Sequence, residues 1–276
     1  MGKDHGYVLG QSTDAARRLE IQDAHMGEAS ERFLDMLRLQ PTDRVVELGC
    51  GPGGLSRRIL RRLGTGGFLV MVDSSEGLLQ QARSLLSSMG PARFEAVHAD
   101  ASALGTWLEG ATVVAGRSVL HHIPLVEFLL GRLRAAVKPG TRVGFLEPDF
   151  RAPLGRLAYL EATGRRDVAP LKVWARAINE LYLARRISPD VGASLARTME
   201  HAGYSDVRTV WSECRSDAMM LENMQMFYGE VRERLVSLNI LTAAEIDEQQ
   251  RLLRSLDPGD LPAAWATHAV AGVACK

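Results

Sequence analysis

Short runs of consecutive apolar residues alternate with stretches of helical periodicity through the first 150 residues. Arg44–Leu48 (RVVEL), Phe68–Val72 (FLVMV), Arg93–His98 (RFEAVH), Thr112–Gly116 (TVVAG) and Arg142–Leu146 (RVGFL) read as short buried strands. Between them, Leu78, Ala82, Leu85 and Met89 recur at helical spacing, and so do Leu125, Leu129, Leu133 and Val137. Ser74 or Ser75 offers an N-cap for the first of these helices, and Lys138-Pro139-Gly140 stops the second. Upstream, Asp14–Leu39 reads as helical, and Pro41 ends it. Five strands separated by helices predict an α/β fold with a parallel, doubly wound sheet, because each return to a parallel strand needs a crossover helix.

The alternation then breaks. A helical cap over 1–40 and a core over 41–149 are expected to precede a helical insertion at 150–187. The core resumes at 188–212, a second helical insertion covers 213–261, and a last strand lies within 262–276. The first insertion carries eight basic and three acidic residues, and the stretch Glu213–Asp260 ten acidic and five basic. Opposite charge suggests that the two insertions pack together, as one helical lid over the open end of the sheet.

Composition narrows the function classes. Lys plus Arg and Asp plus Glu both number 33, so no net field favours nucleic acid or an anionic membrane. The three cysteines are widely spaced and form no C-x-x-C pair, which predicts neither a disulfide framework nor a metal site and fits a reducing cytoplasm. No signal peptide and no long uncharged apolar stretch is evident, so no membrane association is expected.

The chemistry concentrates at the predicted strand ends. Gly49, Gly51 and Gly54 satisfy G-x-G-x-x-G between a strand and a helix, a loop where backbone can approach a ligand closely. Alone, that spacing also fits a nicotinamide-dependent oxidoreductase. The longer string Val45–Gly54 (VVELGCGPGG), with Glu47 two positions before the first glycine, resembles the first motif of the class I S-adenosylmethionine (SAM)-dependent methyltransferases. The resemblance continues through Asp73, Asp100-Ala101, the segment Arg117–Pro124 (RSVLHHIP) and Val137–Glu147 (VKPGTRVGFLE), and is of the small-molecule type.

This resemblance implies a Rossmann-like seven-stranded sheet, mostly parallel with an antiparallel last strand. It also implies SAM as cofactor, S-adenosylhomocysteine as product and a small organic acceptor methylated on oxygen or nitrogen rather than carbon. Glu47 and the loop residues Gly49, Cys50, Gly51 and Gly53 would hold the methionine part. Asp73 would accept both ribose hydroxyls with Ser74 beside it, and Asp100 and Ala101 would meet the adenine. Arg117 would complete the pocket, and Tyr7 and Gln22 belong to a segment that folds over the cofactor in related enzymes. The oligomeric state is left open, with a homodimer compatible. No Asn-Pro-Pro-Tyr signature of DNA amino methylation is present.

Methyl transfer to a hydroxyl or a protonated amine requires a base near neutral pKa. His121 and His122, beyond the fourth strand, are the candidates, with His121 preferred for its closeness to the strand end and the two side chains expected to diverge. A competing reading of the same residues is a methyltransferase fold that binds SAM without transferring its methyl group.

Overall fold

The computed structural model describes residues 13–89 and 93–275, with side chains from residue 17 onward. Tyr7 lies outside the described residues. In chain order the elements are α1 (Thr13–His25), α2 (Gly27–Leu37), β1 (Arg44–Leu48), α3 (Gly54–Leu60), β2 (Phe68–Asp73), α4 (Glu76–Ser87) and β3 (Phe94–His98). There follow β4 (Val113–Arg117), α5 (Val126–Ala136), β5 (Arg142–Asp149), α6 (Ala152–Ala162), α7 (Ala169–Ala184) and α8 (Val191–His201). The chain closes with β6 (Tyr204–Cys214), α9 (Ala218–Ser237), α10 (Ala243–Ser255) and β7 (Trp265–Ala274). They fall into two compact units, one built on the sheet and one helical.

The sheet unit comprises Met26–Asp149, Asp190–Ser212 and the residues from Thr267 onward. Its seven strands lie in the order β3-β2-β1-β4-β5-β7-β6. The pairs β1–β2, β1–β4, β2–β3 and β4–β5 are parallel. β7 runs the other way beside β5, since Gly140 N–H donates to Ala274 O while Gly144 faces Val270 and Ala271. The central strands are continuous apolar runs because helices cover both faces. Val46, Leu48, Val70, Val72, Val114 and Phe145 are fully excluded from solvent. Strand order reverses between β1 and β4, the switch point at which open α/β sheets bind ligands beyond the carboxyl ends of their strands.

The helical unit takes the described residues up to His25, Phe150–Pro189 and Glu213–Ala266, so both insertions pack together with α1. Apolar contact does the joining: α7 packs on α9 and α10, and Trp174 meets Phe227 edge-on at 5.7 Å between ring centroids. Opposite charges between the insertions do meet, at Arg156–Glu213 (2.9 Å) and Arg165–Asp260 (3.6 Å). Both pairs are exposed, where such contacts contribute at most about 1 kcal/mol.

Several element boundaries differ from the sequence reading. The helix expected over 14–39 is two helices, parted at Met26, whose ψ of 9° leaves the helical range. The expected cap over 1–40 is accordingly divided, with α1 in the helical unit and α2 in the sheet unit. The second insertion is likewise two helices, and Thr242 with Glu245 forms a full capping box at the start of α10. β6 takes up the end of the stretch 188–212 and runs two residues past it, as an edge strand whose middle is largely exposed.

Candidate active site

The loop after β1 is shaped by its glycines. Gly49, Gly51 and Gly53 all adopt positive φ, at 66°, 53° and 92°, a region that other residues enter at a cost. A Cβ on Gly49 would lie 2.5 Å from Val119 Cγ2, whereas one on Gly51 would meet nothing within 4 Å. The loop therefore packs tightly at its base and faces open space at its tip. Gly49→Ala should destabilise the fold by about 2–4 kcal/mol, combining left-handed strain with overpacking. Gly51→Ala should cost only about 1–2 kcal/mol, from strain alone. Urea unfolding of both variants checks the difference; equal losses would contradict it.

Carboxylates surround the open tip. Glu47, buried, accepts from Ser56 Oγ at 2.5 Å. Asp73 accepts the Gly51 N–H at one oxygen (2.8 Å) and the Ser75 N–H at the other (2.9 Å). The Ser74 N–H also points at this carboxylate, and a carboxylate with two acceptor oxygens suits a vicinal diol. Burial pushes the Asp73 carboxyl above its ordinary value, and those backbone N–H groups pull it back. Ser75, not Ser74, caps α4, and the Ser74 carbonyl meets His98 Nε2 at 3.0 Å. At the end of β3, Asp100 Oδ1 accepts from both the N–H and the hydroxyl of Ser102, each at 2.7 Å, while Ala101 is buried beside it. Cys50 is buried, and desolvation with Glu47 and Asp73 nearby drives its thiol far up, so it is an inert wall residue.

Beyond β4 the chain turns sharply. Ser118 has φ 54°, a strained value of the kind found at binding sites. Arg117 donates from Nη1 to Ser30 Oγ at 2.9 Å, which ties β4 to α2. Leu120–His122 is a single tight helical turn, so the two histidines do not diverge as expected along an extended strand. Their ring centroids lie 3.9 Å apart. His121 is buried and His122 half-buried.

Beneath this turn sits a residue that the sequence reading left out of the site. Glu147, fully buried on β5, accepts the N–H groups of Val119 and Leu120 at Oε1, both at 2.9 Å. Its Oε2 takes the His121 N–H at 3.3 Å and faces His121 Nδ1 at 2.9 Å. Burial pushes the Glu147 carboxyl up to about 7 against the pull of those three backbone N–H groups. Two residues on, Asp149 pairs with His268 of β7 at 3.3 Å, a second histidine–carboxylate contact at the end of β5. Gln22 lies in α1 of the helical unit, where it accepts from Arg18 Nη1 at 3.3 Å.

A methyltransferase-domain family model matches residues 45–140, the stretch that carries these strand ends. A trans-aconitate 2-methyltransferase of Variovorax paradoxus is 30% identical over 194 residues, which cover 68% of this chain and 69% of that protein. This chain belongs to the class I SAM-dependent methyltransferases. The aklanonic acid methyltransferase DauC of a Streptomyces species is 26% identical over 208 residues, 74% of the methyltransferase described here and 93% of its relative. A Haemonchus contortus phosphoethanolamine N-methyltransferase 2 in complex with SAM shares the fold, with a TM-score of 0.54 at 16% identity over 90% of this chain. The methyltransferase spans about half, 53%, of that longer chain.

Family membership sets aside the oxidoreductase reading and makes SAM the cofactor. The residues present fit it: an open loop tip, an Asp73 carboxylate held by backbone N–H groups at the end of β2, and an Asp100 Oδ2 with no protein partner among the described residues. Asp73→Ala is expected to weaken SAM binding by about 2–3 kcal/mol, the value of charge-assisted bonds to two hydroxyls. Calorimetry on a folded variant with unchanged affinity would remove the assignment.

Proposed function

We propose that the enzyme methylates a small organic acceptor on oxygen or nitrogen, with His121 as the base. The observation that carries this reading is the buried contact between His121 Nδ1 and Glu147 Oε2. SAM supplies an electrophilic methyl group on a sulfonium, so the chain's own tasks are to orient the acceptor and to remove its proton. With Glu147 ionised, the proton of neutral His121 sits on Nδ1 and the Nε2 lone pair is the basic one. Glu147 then steadies the imidazolium as the proton arrives. Glu47, Gly49, Cys50, Gly51, Gly53, Asp73, Ser74, Asp100 and Ala101 form the cofactor cradle in this reading, with Arg117 bracing its wall.

The small acceptor is supported by the relatives, whose names specify trans-aconitate and aklanonic acid as what they methylate. Balanced charge fits it as well. Three free cysteines fit a reducing cytoplasm, and among the described residues no helix is long and apolar enough to cross a membrane. Incubation with methyl-13C SAM and the small-molecule fraction of a cell extract tests the proposal. The 13C shift of the product should report a methoxy or N-methyl carbon. Label on a carbon-bound methyl, or only in macromolecules, would overturn it.

A further inference from the structure

Two glycines of the sheet unit lack a side chain on account of the same neighbour. A Cβ on Gly49, in the loop after β1, would lie 2.5 Å from Val119 Cγ2, and one on Gly116, in β4, would lie 2.8 Å from Val119 Cγ1. Real Cβ atoms do not approach so closely. Each γ-methyl of one buried valine therefore fills a notch that only glycine leaves open. Phe145 closes the Gly116 notch from another side, 2.9 Å from the same Cβ position.

The backbone of Val119 belongs to the turn that carries His121. Its N–H donates to Glu147 Oε1 at 2.9 Å, and its carbonyl accepts the His122 N–H at 3.1 Å. Ser118 before it is held at φ 54° and donates its N–H to Leu146 O at 2.9 Å. That strained value persists because the surrounding bonds over-determine it, and it fixes the direction in which the Val119 side chain leaves. Gly49 is equally constrained, since its N–H and that of Cys50 both donate to Val72 O, at 2.8 and 3.1 Å. The glycine loop and the His121–Glu147 pair thus meet at one side chain, and all these residues lie in the sheet unit. Both branches of a stiff β-branched residue are engaged, so neither partner can shift without displacing the other.

We infer that Val119 is a positioning residue that couples the cofactor loop to the His121–Glu147 pair, so that occupancy of the loop sets the placement of the base. Packed cores pass on small displacements because they do not deform continuously. Val119 itself needs no contact with cofactor or acceptor for this role. Its catalytic consequence rests on the reading of His121 as the base, whereas the coupling is a property of the packing alone.

A histidine-ring NMR titration of the full chain with S-adenosylhomocysteine tests it, with the His121 Hε1 signal assigned by its loss in His121→Ala. Saturation should move that signal in the unmutated protein. Three substitutions then remove γ atoms in steps. Val119→Thr keeps two and should retain the response, Val119→Cys keeps one and should reduce it, and Val119→Ala keeps none and should abolish it. In Val119→Ala, S-adenosylhomocysteine affinity should weaken by roughly 5–20-fold, a typical strength of coupling between sites. Methyl transfer at saturating SAM should fall by about 10–100-fold, the effect of a misplaced base. A merely structural valine makes a different forecast. The melting temperature would fall in all three variants, because Thr buries a hydroxyl and Cys and Ala leave voids, while the His121 response would persist. Should Val119→Ala fail to fold, the milder truncation Val119→Cys decides alone. A His121 signal that stays in place in the saturated unmutated protein, or that moves equally in the folded truncated variants, would overturn the inference. Normal transfer by His121→Ala would remove the base and leave the coupling standing. A collapsed rate in His121→Ala, with no movement of the His121 signal in the unmutated protein, would do the reverse.

Discussion

Replacing His121 by alanine is expected to lower the rate of methyl transfer by about 10²–10⁴-fold at saturating SAM, the usual contribution of a positioned general base. Binding of SAM should be nearly unaffected, since no residue of the glycine loop, Asp73 or Asp100 is bonded to His121. His122 is the internal control. It shares the turn and touches the His121 ring, yet no bond between its side chain and Glu147 orients it. His122→Ala should therefore cost less than ten-fold, a loss of packing without loss of the base. Single-turnover measurements with both variants decide the matter. If neither substitution slows transfer by more than a few-fold, the enzyme works by orienting an already nucleophilic acceptor, and the base assignment falls.

Glu147→Gln should slow transfer by a comparable factor, about 10²–10⁴-fold, although the side chain touches neither cofactor nor acceptor in this account. The amide oxygen can still accept from Val119 and Leu120, so the two shorter bonds to the turn are retained and only the longer one from the His121 N–H is lost. Its NH2 group, however, must donate to His121 Nδ1. That places the imidazole proton on Nε2 and abolishes the lone pair that the reaction requires. A purely structural role for Glu147 makes the opposite forecast, because a near-isosteric amide would preserve both packing and rate. Unchanged SAM affinity with a collapsed rate separates the two.

The parts of this site that could be read from the sequence are those carried by local pattern. Glu47, the glycines, Asp73 and Asp100 each close a predicted strand, and a strand end in a parallel sheet has only one place to point. The His121–Glu147 pair depends instead on partners 26 residues apart. Glu147 was visible as the acid ending the fifth strand, but only the register that sets Arg117 beside Leu146 brings the following turn over it. Arg117 found Ser30 across 87 residues, a contact with no local signature. The helix break at Met26 was equally hidden, since apolar spacing continues on either side of it and Gly27 is tolerated within helices.

The helical unit was legible in outline for a different reason than the one that holds it together. Charge opposition between the insertions suggested that they pack, yet the buried contacts are among Trp174, Phe227 and their neighbours. Long-range aromatic assembly from residues 25, 150, 174 and 265 leaves no periodic trace in any single segment. Thr242 and Glu245 show the contrary case: a capping box is a local signal, and it marks the start of α10 where the sequence reading ran one long insertion.

The pH dependence of transfer at saturating SAM and acceptor tests the central claim most directly. One proton added to the pair disables it wherever it resides: on His121 it occupies Nε2, and on Glu147 it donates to Nδ1 and leaves the ring proton on Nε2. With the Glu147 carboxyl pushed up to about 7, the rate should rise from acid pH to a plateau with its midpoint near neutrality. The same profile measured on Glu147→Gln should lie far below and lack that midpoint. A wild-type rate that is flat between about pH 5.5 and 8.5, a span wide enough to cross the ordinary histidine range, or a Glu147→Gln profile that overlays it, would contradict the account.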